Sequence, residues 1–250
     1  MASTERLDKF LCSQGTLTRS EARRLIRAGR VTADGRVCRD PSQKLDPQGV
    51  ALCVEGKPLH YAAHVYFMLN KPAGILCVSR DPRAKTVVDL LPEEYRRRGL
   101  FPAGRLDKDT HGLVLITDDG EFAHELLSPR HHVPKTYQAR LDAPLDEAGA
   151  AAFCAGPILA DGTKCMPAEL ALLEEGTEPL WQVVIYEGKF HQIKRMFAAV
   201  GRQVIWLKRC AMGGLQLDET LAEGECRPLK PGEKQCILTE NSGGTLVNKP

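Results

Sequence analysis

Leu113-Val114-Leu115-Ile116 is an unbroken apolar run standing directly behind the polar stretch Gly104-Arg105-Leu106-Asp107-Lys108-Asp109-Thr110-His111-Gly112. An apolar run of this length, entered from a glycine-started loop, reads as a buried strand. The loop that feeds it then presents its side chains at the edge of a buried sheet, where rigid elements hold functional groups in place. Asp107 is the carboxylate this arrangement singles out, with the cationic Arg105 two residues before it.

The rest of the chain supplies partners for that strand. Val65-Tyr66-Phe67-Met68-Leu69 reads as a strand ending at Asn70-Lys71-Pro72-Ala73-Gly74. Further strands are expected at 113–117, 135–141, 168–173, 180–186 and 204–209, with helices at about 86–91, 121–128, 146–154 and 191–200. The class is α+β with a substantial sheet, whose topology periodicity alone does not fix.

The first forty residues follow another pattern. Leu7, Phe10 and Leu11 share one helical face, and Thr18-Arg19-Ser20-Glu21 has capping-box spacing for a second helix running to about Ala28 and closed by Gly29. Val31-Thr32-Ala33, the Asp34-Gly35 turn signal and Arg36-Val37-Cys38 predict a hairpin. From Arg6 to Lys44 there are ten Lys or Arg against four Asp or Glu, whereas residues 61–250 carry 23 against 25. A whole-chain net charge of +2 therefore hides a basic N-terminal segment, the footprint expected of a module that binds a polyanion.

At 250 residues the chain is long enough for a large and a small unit. Residues 56–64, with Lys57-Pro58 and small or polar neighbours, have linker composition, and Asn241-Ser242-Gly243-Gly244-Thr245 reads as a flexible tail. The expected division is 1–56, a linker at 57–64, a main body at 65–232 and a tail at 233–250. Nine cysteines are scattered, odd in number and never spaced Cys-x-x-Cys, which speaks against a zinc or disulfide framework. No apolar run approaches the ~20 residues of a membrane span, and no apolar signal core follows Met1. The expectation is a soluble, cytoplasmic monomer with no metal and no membrane partner.

Gly104-Arg105-Leu106-Asp107, with Thr110 and Gly112-Leu113 at their spacings, resembles the signature of the pseudouridine synthases. Glu187-Gly188-Lys189-Phe190-His191-Gln192-Ile193-Lys194-Arg195-Met196-Phe197 and Ser128-Pro129-Arg130-His131-His132 resemble the ribosomal small-subunit branch of that family more closely than the large-subunit branch. Residues 6 to about 54 resemble the S4 RNA-binding module. Together the likeness covers residues 6 to about 230. It implies a pseudouridine synthase fold, a mixed and mostly antiparallel sheet with a central cleft, preceded by a small S4-type domain. It further implies isomerisation of one uridine in 16S ribosomal RNA, of the uridine 516 type, on an assembling small subunit. The same chemistry on 23S RNA, and a non-catalytic RNA-binding assembly factor, are the two alternatives.

The resemblance also assigns roles. Pseudouridine formation breaks the bond from ribose C1′ to uracil N1, turns the base and rejoins it through C5, and it needs no cofactor. It needs an ionised carboxylate that attacks or removes a proton, in a pocket that excludes water. Asp107 takes that part, Lys194 is its cationic partner with Arg195 the competitor, and Tyr137 stacks on the target base. Arg105 fills the place of the everted nucleotide. Lys71, Arg130, His131 and His132 are expected to contact phosphate or sugar, and Arg195 is a further expected substrate-binding residue. Arg6, Lys9, Arg19, Arg23, Arg24, Arg27, Arg30 and Arg36 are expected to dock the S4-like segment on RNA backbone and shape.

Overall fold

The computed structural model describes residues 4–14, 17–46, 49–59, 61–95, 98–128 and 130–238. The chain divides into two units, one of Met1–Val65 with Leu91–Leu100, the other of Tyr66–Leu90 with Phe101–Pro250.

In the first unit, β1 (Glu5–Arg6) leads into α1 (Leu7–Ser13), α2 (Arg19–Arg27), β2 (Val31–Ala33), β3 (Arg36–Cys38), β4 (Lys44–Leu45), β5 (Leu52–Val54) and β6 (Lys57–Leu59). The Thr18 capping box opens α2: the Glu21 amide donates to Thr18 Oγ1 at 3.3 Å, and the Thr18 amide donates to Glu21 Oε2 at 2.6 Å. Asp34 and Gly35, both at positive φ, turn β2 into β3 as their dipeptide predicts. The small sheet has the order β3-β2-β5-β6, and Leu7, Phe10, Leu11, Ala22 and Ile26 pack their apolar face against Val31, Ala33, Cys38 and Leu52.

Three expectations for this unit need correction. Residues 57–59 are not linker: Glu55 and Gly56, both at positive φ, make a second tight turn, and β6 pairs with β5. Pro58 is tolerated because β6 is an edge strand. Residues 91–100, expected in the main body, belong to the first unit, where Arg98 donates to the carbonyls of Ala62 and Ala63 and to Gln14. The basic helix is also less free of acid than its composition suggests. Asp8 is fully buried and its carboxylate gathers Arg6, Arg19 and Arg23, which hold its pKa far below the usual carboxylate range.

The second unit contains β7 (Tyr66–Lys71), β8 (Phe101–Ala103), β9 (His111–Thr117), α3 (Gly120–Leu127), β10 (Lys135–Leu141), α4 (Glu147–Cys154), β11 (Glu169–Glu174), β12 (Leu180–Ile185), α5 (Gln192–Ala199), β13 (Val204–Met212), β14 (Leu215–Gln216), β15 (Cys226–Pro228) and α6 (Glu233–Leu238). Every expected strand is present. The helix expected at 86–91 is only a 3-10 turn at Val88–Leu90, opened by the Asp89 carboxylate, which accepts from the amide and hydroxyl of Thr86. Residues 233–238, expected in the tail, form α6 with Ile237 buried. Lys234 on α6 donates to Tyr66, whose hydroxyl donates to Asp119. The expected flexible tail at 241–245 lies outside the described residues.

The strands form one sheet of order β11-β12-β10-β13-β9-β7-β15, with β14 on β13 and β8 on β9. Its pairings are antiparallel except one: β13 and β9 run parallel, with Lys208 opposite His111 and Arg209 opposite Gly112. This short seam joins two antiparallel halves. Gly112 makes it possible, since a Cβ there would stand 2.2 Å from the Arg209 carbonyl oxygen and the backbone holds φ at +99°.

Gly112→Ala should therefore destabilise the fold by about 3 kcal/mol or more, through backbone clash and positive-φ strain together. Urea unfolding of the two proteins measures this, and a change under about 0.5 kcal/mol would show that the seam accommodates a side chain.

Candidate active site

Parallel strands start from the same end of a sheet, so the loop that enters β9 and the helix that precedes β13 are delivered to one edge. The loop carries Asp107, and the helix carries Lys194.

The loop is braced from beneath. Lys71 is fully buried, and its ammonium donates to the carbonyl oxygens of Pro72 at 3.0 Å, Lys108 at 3.1 Å and Thr110 at 2.9 Å. Burial pushes its pKa below the ordinary lysine value, while nearby Asp109 and Asp107 oppose that shift. Lys71 is therefore a strut for the loop and not the phosphate or sugar contact the sequence suggested. The Gly74 amide donates to the Lys108 carbonyl at 2.7 Å, and the Thr110 amide to the Asp107 carbonyl at 3.1 Å, closing the turn.

Helix α5 follows from the stripe Ile193, Met196 and Phe197, all buried, with the Phe197 ring 4.3 Å from that of Phe153. Its start is set by a partly buried polar knot. The Glu187 carboxylate accepts from the Met166 amide at 3.0 Å and from Gln192 Nε2 at 2.7 Å, while Gln192 Oε1 accepts from the Lys189 amide at 2.8 Å. His191 sits just before the helix in the left-handed region, φ +48°.

Asp107 is about three-quarters covered, and each of its oxygens faces a basic side chain: Lys194 Nζ lies 3.4 Å from Oδ2 and His191 Nε2 lies 3.4 Å from Oδ1. Lys194 also reaches Asp109 Oδ1 at 2.5 Å, and that bond holds the Asp109 carboxyl below the usual carboxylate range. Of the two candidate partners, Arg195 points elsewhere, pairing with Asp161 at 2.5 Å and donating to the Phe190 carbonyl at 3.3 Å.

Arg105, Leu106, Asp107, Thr110, Tyr137, Ile185, Gly188, Lys189 and Leu207 line one cleft together with His191, Gln192, Ile193 and Lys194. Tyr137 is nearly buried in its wall, opposite Val183 on one side and Arg209 on the other. Arg105 is exposed at the cleft. The arrangement provides a carboxylate flanked by two basic groups, an aromatic wall and an apolar floor from Ile185, Ile193 and Leu207. Such a site has room for a planar ring beside a carboxylate.

Arg130 and His131 do not join it. They line a separate depression with Gly120, His124 and Ser128, where His131 Nδ1 lies 2.9 Å from the Glu125 carbonyl oxygen. His132 is exposed at φ +45°. Their place in sequence shortly before the Tyr137 strand does not bring them round to its cleft side.

Two contributors stand within the sequence motifs, which assign them no role. His191 carried no signal of its contact with Asp107, because that contact depends on a left-handed backbone at a non-glycine residue. Thr110 is almost fully buried, lines the cleft, and its hydroxyl has no partner among the described residues.

In the first unit Arg24, Arg27, Arg30 and Arg36 are exposed, as is Lys9, which pairs with Glu5 at 2.8 Å. Arg6, Arg19 and Arg23 are the three committed to Asp8.

Residues 65–199 match the RNA pseudouridylate synthase family, and residues 5–50 match the S4 domain. The chain is 43% identical over 230 residues to the RNA pseudouridine synthase YtzG of Bacillus subtilis, covering 91% of this chain and 96% of that protein. It is 44% identical over 237 residues to the ribosomal small subunit pseudouridine synthase A of Escherichia coli K12, covering 93% and 100%. A crystal structure of a pseudouridylate synthase superposes with a TM-score of 0.64 at 39% identity, over 93% of this chain and 99% of that one. The chain belongs to the RNA pseudouridylate synthase family, as an enzyme with the pseudouridine synthase fold behind an N-terminal S4 domain.

Proposed function

We propose that this enzyme converts one uridine of 16S ribosomal RNA to pseudouridine, at the uridine 516 type of position, on an assembling small subunit. The observation that carries the chemistry is the Asp107 carboxylate set between Lys194 and His191 in a cleft walled by Tyr137. The target is supported by the 44% identity to the Escherichia coli small-subunit enzyme over that protein's whole length.

The uridine leaves its stack, at a cost of a few kcal/mol, and enters the cleft with its base against Tyr137. Arg105, planar and cationic at the cleft's edge, occupies the space it vacates. Asp107 acts as a nucleophile toward the nucleotide or as a base toward a sugar proton. Both routes need the anion, and the ammonium of Lys194 sets positive charge beside it. The C1′–N1 bond breaks, the base turns within the cleft, C5 bonds to C1′, and the C5 proton is lost as N1 gains one. Atoms and electrons balance within the nucleotide, so the reaction consumes no oxidant or second substrate.

The S4 domain holds the RNA through its exposed cations. Arg24, Arg27, Arg30 and Arg36 contact phosphates, while Arg6, Arg19 and Arg23, anchored on Asp8, support the helix face that presents them.

Carbodiimide mapping of ribosomal RNA from cells lacking the protein should show one pseudouridine missing from 16S RNA; loss at a 23S position, or no loss, would refute the assignment. Asp107→Asn should lower single-turnover conversion by roughly 10³-fold or more while RNA affinity stays within a few-fold, and substantial residual turnover would remove Asp107 from the chemistry. Replacing Arg24, Arg27 and Arg30 by Glu should weaken RNA binding and flatten its dependence on salt by about one phosphate contact for each residue. An unchanged salt slope would show that this face is not the anchor.

A further inference from the structure

Phe190 is 70% exposed and is the sole aromatic among the exposed large hydrophobic side chains of the described residues. A single exposed aromatic is ordinary on a protein surface. The place of Phe190 gives its exposure a meaning. It directly precedes His191, and the two rings stack with centroids 3.8 Å apart and planes 19° from parallel. The same imidazole faces Asp107, and Lys189, the residue before Phe190, lines the cleft. One face of the Phe190 ring is thus covered by His191 while the other stands open at the rim of the site.

The backbone beneath the ring is held. Arg195 donates to the Phe190 carbonyl and is itself tied to Asp161, and the Glu187–Gln192 knot seats the residues on either side. A rigid aromatic already stacked on one face loses little freedom when a second ring joins it. Lys189 and Arg195 are partly exposed and each is paired with a carboxylate, Lys189 with Glu187 and Arg195 with Asp161, while Lys194 lies within the cleft.

From this geometry we infer that Phe190 is a stacking platform for a second RNA base, one next to the uridine that enters the cleft. The inference rests on the RNA isomerase reading of the cleft and extends it. Eversion of one nucleotide strips its neighbour of a stacking partner, and an open aromatic face at the rim restores that partner. The column of base, Phe190 and His191 also ends on Asp107, so a properly seated RNA steadies His191 against the catalytic carboxylate. Stacking is tolerant of base identity, so the platform contributes affinity and seating, with sequence choice left to other contacts.

The test uses the full-length enzyme and a short RNA spanning the uridine that cells lacking the protein fail to modify. In a companion set of RNAs, each neighbouring nucleotide in turn is made abasic. Phe190→Leu should bind the intact RNA roughly tenfold more weakly, and Phe190→Trp should bind it as the wild type does. One abasic position should weaken the wild type by a similar factor and leave Phe190→Leu no weaker than before, so the two losses do not add. Unchanged affinity for Phe190→Leu, or losses that add at every abasic position, would overturn the proposal. Thermal melts of the variants separate a folding defect from lost stacking. Conversion of the intact RNA is followed alongside: failure of the isomerase reading shows as no conversion by the wild type, whereas failure of this inference shows as a wild-type enzyme that converts and a Phe190→Leu variant that binds and converts equally well.

Discussion

The parallel contact between β9 and β13 is the constraint on which the catalytic unit depends. It is two residue pairs long, and it brings the backbone of Gly112 so close to Arg209 that no side chain fits. Without it the sheet would be two antiparallel pieces. With it, the segments that enter β9 and β13 arrive at the same edge, and the carboxylate of one meets the ammonium and imidazole of the other. Gly112 and Asp107 therefore belong to a single device: the glycine sets where the loop can end, and the loop sets where the acid can point.

Charge is distributed around that edge in layers. Lys71 lies beneath the loop, fully buried and satisfied by three backbone carbonyls, and fixes its shape. Lys194 lies above it and is shared by two carboxylates, the closer being exposed Asp109. At 3.4 Å and an effective dielectric of ~20, attraction between Lys194 and an ionised Asp107 is about 5 kcal/mol before any desolvation cost. The same ammonium lies nearer Asp109, at 2.5 Å, so its charge is divided between the two carboxylates. The first unit repeats the theme with the signs exchanged, a buried Asp8 organising three arginines.

Much of this was legible in the residues. The apolar run at 113–116, the capping box at Thr18, the Asp34-Gly35 turn and the stripe through Ile193, Met196 and Phe197 each state a local preference that tertiary packing then uses. Asp107, Tyr137 and Lys194, named from a family resemblance, do line one cleft. What sequence hid was direction. Lys71, Arg130 and His131 have the right chemistry for phosphate, yet one points into a nest of carbonyls and the others into a different depression. Asp8 lies far along the chain from Arg19 and Arg23, so its neutralising role is invisible until the helices pack. β6 hid behind a Glu55-Gly56 turn and an edge proline, and the 91–100 excursion is held by hydrogen bonds that leave no periodic trace.

The central claim is that a cation beside Asp107 is part of the chemistry and not only of the fold. Single-turnover conversion by Lys194→Met, on RNA at saturating enzyme, tests it most directly. The account predicts a rate roughly 10²-fold below wild type with RNA affinity and thermal stability little changed, and partial recovery in Lys194→Arg. A Lys194→Met enzyme that turns over at the wild-type rate would contradict it.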